Sequence, residues 1–506
     1  MKSMSRSRKA ALNSVFYFLY EFVAIISSLI LPRLILTSFG SSYNGITASI
    51  NQFLTCMSLF YAGVTGVTRA ALYKPLSNND KDAVSGIVNA TEAFMRKISG
   101  IFLAALLLFA LLYPFLVAED FGWWFACSLV LIIGISTFFQ YFFATPYKIL
   151  LAADQNNFIV TAINIATLVA STLISVVLIK CGCSIHAVKL GSAAVYILNP
   201  IAINIYAKRR YGLNKNAVPD NSALSQRWDA FAHSVANLVN TNADIVLLTV
   251  FTSVREVSVY TIYYLVINGV NKIGSALSSG IEAAFGNMLA KNDRDVLVRN
   301  MNAYETLMFF LSCVIYTCCA VMIVPFVRVY TSGVTDADYI RPLFGYLVSA
   351  AGFFATLRIP YQTLTQAAGQ YKRTKRGAIF EAVIHIILSL VLVIRFGLIG
   401  VTIGTLAAMI FRTCQYAVFV YKNITGLSLT HFIKRIAASA VCISLAIFGS
   451  LAFPPDYIAS YRSWVIYATV LFATSAVLSG ITSFIFFSND IRRIIEVIKN
   501  MLKKRK

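Results

Sequence analysis

Apolar windows about 20 residues long, enough for a helix to cross the hydrocarbon core of a bilayer, recur along the whole of this 506-residue chain. Fourteen are readable: 11–38, 44–73, 86–117, 122–150, 157–179, 185–207, 229–252, 256–288, 297–330, 338–369, 377–395, 398–421, 432–453 and 462–487. No stretch between them is long enough for an independent soluble domain. The longest connection, 208–228, reads as a linker between two halves. Composition agrees: 58% of residues are hydrophobic and only 13% charged, about half the charge of a soluble chain. That excludes a cytosolic enzyme, a disordered protein and a disulfide-stapled secreted domain. The fold expected is an all-α integral membrane protein of about 14 transmembrane helices.

The formal charge is +22, which in a soluble protein would suggest nucleic acid. Here its distribution is topological. With a cytoplasmic N-terminus, 31 Lys and Arg fall in inner loops and tails, eight at outer ends and four inside spans (Arg69, Lys272, Arg358 and Arg412). This is the positive-inside bias of a protein with an even number of crossings and both termini cytoplasmic. It places the chain in the cell (plasma or inner) membrane and leaves no platform for nucleic acid. The first span follows a basic segment but is too long for a secretory signal, carries Glu21 and lacks a small-residue cleavage site, so it reads as retained. The tail, 489–506, aligns Ile491, Ile494, Ile495, Ile498 and Leu502 on one helical face opposite basic residues. It suits either a helix on the anionic inner leaflet or a solvated basic terminus. Cys181 and Cys183, the only cysteines of an outer loop, have a spacing that suggests neither a zinc site nor an easy disulfide.

The halves repeat. LTSF at 36–39 matches LTVF at 248–251, Pro114-Phe115 matches Pro325-Phe326, and Pro146-Tyr147 matches Pro360-Tyr361. Ala152, Ala153 and Gln155 match Ala367, Ala368 and Gln370, and Ile179-Lys180-x-Gly182 resembles Ile394-Arg395-x-Gly397. The offsets stay between 211 and 215. An offset of six crossings keeps both copies in one orientation, so two six-helix bundles are expected, related by an axis along the membrane normal. The organisation is then an N-terminal bundle (1–207), the linker (208–228), a C-terminal bundle (229–421), helices 13 and 14 (432–487) and the amphipathic tail (489–506). Two facing bundles imply a cavity exposed alternately to each side.

Polar groups do not face lipid cheaply, so polar stripes at helical spacing mark protein or water. Span 8 carries Asn268, Lys272, Ser275, Ser279 and Glu282; span 2 carries Asn51, Thr55, Ser58, Thr65 and Arg69. Span 7 adds Asn237, Thr241 and Asp244, and span 1 Tyr17, Glu21 and Ser28. Lys272, near mid-membrane, costs about 2.5–3.5 kcal/mol to insert. It reads either as a counter-charge for an anionic substrate or as a structural partner of Asp244 or Glu21. Glu21 and Asp244 are candidates for proton or sodium coupling, or partners of Lys272 or Arg69. Arg69 and Glu282 suit a gate or an interfacial role. Arg358 and Arg412 suit a cavity or snorkelling with packing, Arg33 an outer anion site or a structural role, and His385 a proton shuttle or a packed core position. No cofactor or metal is expected.

The run GQYKRTKRGAIFEAVIHIILSLVLVIRFGLIGVTIGT (369–405), the stretch LILTSFGSSYNGI (34–46) and the basic inner end of span 2 at Arg69 resemble bacterial Wzx-type polysaccharide and lipid-linked oligosaccharide flippases, of the multidrug/oligosaccharidyl-lipid/polysaccharide (MOP) exporter superfamily. The resemblance covers essentially the whole chain. It implies transfer of an undecaprenyl-diphosphate-linked sugar unit from inner to outer leaflet, alongside a polysaccharide polymerase and glycosyltransferases. In related peptidoglycan-precursor flippases, cations of spans 1, 2 and 8 bind the diphosphate and the last two helices form a groove for the lipid tail. By that resemblance Lys272 and Arg69 take the diphosphate. Asn268, Ser275, Asn51, Arg358 and Arg412 are further substrate-binding candidates, and Tyr17, Tyr260, Tyr263 and Tyr264 candidates to stack on sugar rings. Gly286, His385 and Glu21 depart from the family pattern, the last pointing toward ion coupling in span 1. The rival readings are a cation-coupled multidrug exporter, a membrane-embedded glycosyltransferase or polymerase, and a non-transporting scaffold of a polysaccharide assembly complex. The central Lys272 argues against the first, and the short outer loops against the second.

Overall fold

In the computed structural model, residues 4–214, 216–220, 242–278, 281–291, 293–451 and 458–503 are described. They are all-α, with no strand among the described residues. They fall into two compact units, Met1–Ser258 and Val259–Lys506. The first holds α1 (Arg6–Phe39), α2 (Ser41–Met57), α3 (Leu59–Ser77), α4 (Lys81–Leu116), α5 (Trp123–Phe143), α6 (Thr145–Ala153), α7 (Asn157–Lys180), α8 (Ile185–Tyr211) and α9 (Asn242–Phe251). The second begins within α10 (Val254–Ser278) and continues through α11 (Ile281–Ala290), α12 (Arg294–Tyr330), α13 (Pro342–Leu357), α14 (Ile359–Ala367), α15 (Tyr371–Val420), α16 (Thr430–Leu451), α17 (Tyr461–Phe486) and α18 (Ser488–Lys503). Among the described residues, ten helical stretches are long and apolar enough to span a bilayer, and the chain is a multi-pass membrane protein.

Three windows that read as single spans are each built from two helices: 44–73 from α2 and α3, 122–150 from α5 and α6, and 338–369 from α13 and α14; in 256–288 the described residues are those of α10 and α11. Two of the breaks have a plain cause. Pro146 and Pro360 occupy the first turns of α6 and α14. There the ring excludes the preceding carbonyl and removes an N–H, so a helix arriving from upstream stops and a new one starts. Windows 377–395 and 398–421 are the two helical arms of α15, parted at the non-helical Gly397 with φ 52° and ψ −126°.

The repeat is visible inside each unit. Asp80 caps α4 by accepting from the Ala83 amide at 3.0 Å, and Asp293 caps α12 by accepting from the Val296 amide at 3.2 Å. The capped helices have 36 and 37 residues, and α6 and α14 have nine each. Gly182 (φ 74°) follows α7 at a positive φ, as Gly397 (φ 52°) does at the kink in α15. At the turn after α6 and α14 the structural register is 214. Gln155 (φ 57°) stands where Gly369 (φ 66°) does, so its match is one residue earlier than Gln370.

In the first unit α9 and the start of α10 pack antiparallel on α2 through polar contacts at helical spacing. Gln52 donates to Asn242, Thr249 Oγ1 to Ser49 Oγ at 2.9 Å, and Asn44 Nδ2 to Ser258 Oγ at 2.8 Å. The division by packing therefore falls at 258/259, later than the linker. Contact here is backbone-close. A Cβ on Gly45 would lie 1.6 Å from the Val254 carbonyl oxygen, a position rigid backbone does not yield. Gly45→Ala is expected to cost at least about 3 kcal/mol, the upper range for overpacking. It should appear as a lowered thermal midpoint and loss of the monodisperse peak in detergent size-exclusion chromatography.

In the second unit the α16 guanidinium of Arg435 binds the α12 carboxylate of Glu305 at 3.2 Å, and the two side chains are 1% and 0% exposed. Glu305 also accepts from the phenols of Tyr361 and Tyr421. The tail helix α18 joins this cluster. Asp490 Oδ2 meets Arg435 Nη2 at 3.0 Å and accepts from Thr306 Oγ1 at 2.7 Å. Arg493 donates to Asn300 at 3.3 Å, while Arg492, Ile495 and Lys499 stay exposed. The amphipathic tail is thus docked on α12 at its start and open along its far face.

Candidate functional site

Asn268, Lys272 and Ser275 of the span 8 stripe lie on α10, a helix unbroken from Val254 to Ser278, so these positions share one face. Asn268 and Lys272 are both exposed, one turn apart. Next to them Asn271 turns inward, accepting from Tyr316, whose hydroxyl also lies 2.9 Å from Thr356 Oγ1. That anchor fixes the rotation of α10 and therefore where Lys272 emerges. Lys272, Glu21 and Asp244 each interact with a neighbouring group. Glu21 is half-buried on α1 and Asp244 buried, at 7% exposure, on α9. Asn237, Thr241 and Ser279 lie outside the described residues, as does the side chain of Ser275.

The span 2 stripe crosses the α2–α3 junction at Ser58. Asn51 is exposed, and its amide donates to the Thr47 carbonyl at 2.9 Å. Arg69 is exposed on α3 and has no ion pair among the described residues. Glu282 is exposed on α11. Arg33 is half-buried near the end of α1.

Arg358 and Arg412 come together. Glu381 of α15 takes Arg358 Nη1 on Oε1 at 2.8 Å and Arg412 Nε on Oε2 at 3.3 Å. Arg412 also donates to the Thr374 carbonyl at 3.1 Å and to Gln415 Oε1 at 2.9 Å, and lies 4.1 Å over the Tyr416 ring. It rests on Gly377, where a Cβ would come within 2.4 Å of its guanidinium. Two cations that read separately are clamped by one carboxylate the sequence reading passed over, and together they tie the α13–α14 junction to both arms of α15.

The aromatic candidates divide. Tyr263 is fully buried, with its hydroxyl donating to the Tyr339 carbonyl at 2.8 Å and accepting from the Arg341 amide at 3.0 Å; it is a strut and not a sugar platform. Tyr260 stacks on Tyr264 with centroids 4.1 Å apart. Tyr17 is 57% exposed. His385 is buried with Nε2 3.2 Å from Thr405 Oγ1, a packed position between the arms of α15. The described residues contain no cluster of His, Cys, Asp and Glu able to hold a metal.

No protein-family model matches this chain, and no curated protein matches its sequence. Solved structures match its fold. The lipid II flippase MurJ in an inward closed conformation aligns with a TM-score of 0.66 at 16% identity, covering 94% of this chain and 99% of that one. An inward-facing MATE-family multidrug resistance transporter of the MOP superfamily aligns at 0.60, with 13% identity and coverage of 79% and 95%. A MOP-superfamily transporter from Pyrococcus furiosus, described as having a binding pocket of reverse polarity, aligns at 0.53, with 13% identity and coverage of 81% and 96%. These are transporters and a flippase, and the chain has the fold that they share.

Proposed function

We propose that this chain is a flippase that moves a polyprenyl-diphosphate-linked oligosaccharide, the repeat unit of a cell-surface polysaccharide, from inner to outer leaflet by alternating access. The observation that carries the reading is the near end-to-end likeness to a lipid II flippase, taken with an exposed cation and amide, Lys272 and Asn268, on one face of α10. Diphosphate and glycan cannot cross hydrocarbon unaided, so a cationic, hydrogen-bonding surface lowers their cost, while the polyprenyl tail stays in lipid. Lys272 and Arg69 hold the diphosphate, and Asn268, Ser275 and Asn51 line the path. Arg358 and Arg412 act from their pair with Glu381, and Glu282 gates. The outer faces of α16 and α17 keep apolar groups exposed, among them Phe448 and Phe484, as a lipid tail requires. The protein works in the plasma or inner membrane with both termini cytoplasmic, beside a polysaccharide polymerase and glycosyltransferases.

Proton- or sodium-coupled export of organic cations is the second reading. It is favoured by the MATE-family likeness and by the carboxylates Glu21 and Asp244. Proteoliposomes separate the two. A labelled polyprenyl-diphosphate glycan is expected to change leaflet, and a fluorescent organic cation to show no gradient-driven export. Cation export without glycan transfer would assign the chain to the exporters, and failure of both would leave the scaffold reading.

A further inference from the structure

The repeat places the same carboxylate and phenol in both units. In the first, Glu92 of α4 accepts from Tyr147 of α6 at 3.2 Å. In the second, Glu305 of α12 accepts from Tyr361 of α14. Glu92 and Glu305 are 213 positions apart, as are the caps Asp80 and Asp293. What surrounds the pair differs in charge. At the same offset, Arg96 and Lys208 of the first unit stand where the second has Phe309 and Tyr421.

In the second unit the shelf therefore holds one carboxylate and no cation of its own, and α16 completes it. Arg435 pairs with Glu305 at 3.2 Å, and the Phe432 ring lies 5.8 Å from Tyr361 and 6.4 Å from Phe309. In the first unit the shelf holds one carboxylate and two cations, and it is an open pocket of about 330 Å³ lined by Asn89, Glu92, Arg96, Tyr147, Lys208 and Leu213. Glu92 occupies one edge of Arg96, at 2.8 Å. The ammonium of Lys208 is half-buried, with the Tyr147 ring 5.3 Å away and no ion pair among the described residues. The Asn89 amide is already committed to the carbonyls of Asn214 and Ala217, both at 3.1 Å, which close one wall.

If a net negative shelf is completed by a guanidinium, the net positive shelf is complementary to an anion. We infer that the pocket between α4, α6 and α8 binds a phosphate group, that of an anionic phospholipid headgroup, with Arg96 and Lys208 as its cations and the Tyr147 ring holding Lys208 in place. A guanidinium and an ammonium together suit a phosphate diester, one through a fixed fork and the other as a point charge. The pocket lies at the helix ends that the charge bias assigns to the cytoplasmic side, where anionic headgroups and basic interhelical pockets meet. The inference is independent of what the protein transports.

The test is native mass spectrometry of the full-length protein in mild detergent, titrated with phosphatidylglycerol, phosphatidylcholine or inorganic phosphate. Wild type should retain phosphatidylglycerol in preference to phosphatidylcholine. The double variant Arg96→Gln/Lys208→Gln should bind it at least about tenfold more weakly, since even one charge-assisted contact carries that weight. Its elution profile and thermal midpoint should stay at the wild-type values. Arg209→Gln/Arg210→Gln, which removes two exposed charges outside the pocket, should bind as wild type does. Glu92→Gln, which frees Arg96, should bind more tightly. Displacement of the lipid by millimolar inorganic phosphate would support the phosphate chemistry, with a soluble donor as a second source. Undiminished lipid retention by the Arg96/Lys208 variant, or an equal loss from the Arg209/Arg210 variant, would overturn the inference.

Discussion

Replacing Lys272 by alanine is expected to abolish most leaflet transfer of a polyprenyl-diphosphate glycan in proteoliposomes, by at least about tenfold, while the protein still folds. Lys272 is exposed on α10, so truncation opens no cavity and removes no core packing. The rotation of α10 is set elsewhere, by Tyr316 on Asn271 and by Tyr263 on Tyr339, and both anchors survive the substitution. On the proposed function, what is lost is a charge-assisted hydrogen bond to phosphate, worth about 1.5–3 kcal/mol, which corresponds to roughly ten- to hundredfold in affinity. Lys272→Arg should retain more transfer than Lys272→Gln, because the charge carries the interaction and the shape of the head is secondary. Equal transfer by the Arg and Gln variants would contradict a counter-charge role. Full transfer by the Ala variant would remove Lys272 from the mechanism, leaving the fold assignment untouched.

The helical membrane fold was legible because each of its signals is local. A 20-residue apolar window, a prolyl break and a polar stripe are all read within one segment. The repeat was legible for the same reason, through pairs such as Pro146-Tyr147 and Pro360-Tyr361. It could have been carried further, since Asp80-Lys81-Asp82 and Asp293-Arg294-Asp295 are capping sequences at one offset. Pairings between segments were not legible. Glu381 lies 23 positions from Arg358 and 31 from Arg412, on no common helix face, so periodicity could not join them. One signal was available: a carboxylate inside an apolar window is costly enough to require a partner, and both Glu305 and Glu381 stand in such windows. Arg435 was hidden differently. At the edge of its span it counted as one more cytoplasmic charge, whereas folding brings it to 1% exposure against Glu305.

That burial makes Arg435 the position where a single substitution should cost the most stability. Arg435→Met keeps the volume and the apolar stem but strands Glu305, fully buried on α12, and takes from Asp490 its link to α16. The two phenols of Tyr361 and Tyr421 soften the loss without supplying a charge. Breaking one side of a buried pair costs about 3–5 kcal/mol, most of it the uncompensated ion. The expectation is a thermal midpoint in detergent well below wild type, with early release of α18, detectable as faster proteolysis after Phe487. Adding Glu305→Gln to Arg435→Met should recover much of the loss, because the stranded charge is then gone and an amide can still accept from the phenols. Arg96→Gln, at the equivalent shelf of the first unit, should cost under about 1 kcal/mol, since its side chain is 60% exposed and its pair with Glu92 is solvated. Equal destabilisation by Arg435→Met and Arg96→Gln would mean that the cluster closing α16 over α12 is not the stabilising contact its burial implies. The asymmetry between the two shelves would then be one of packing alone.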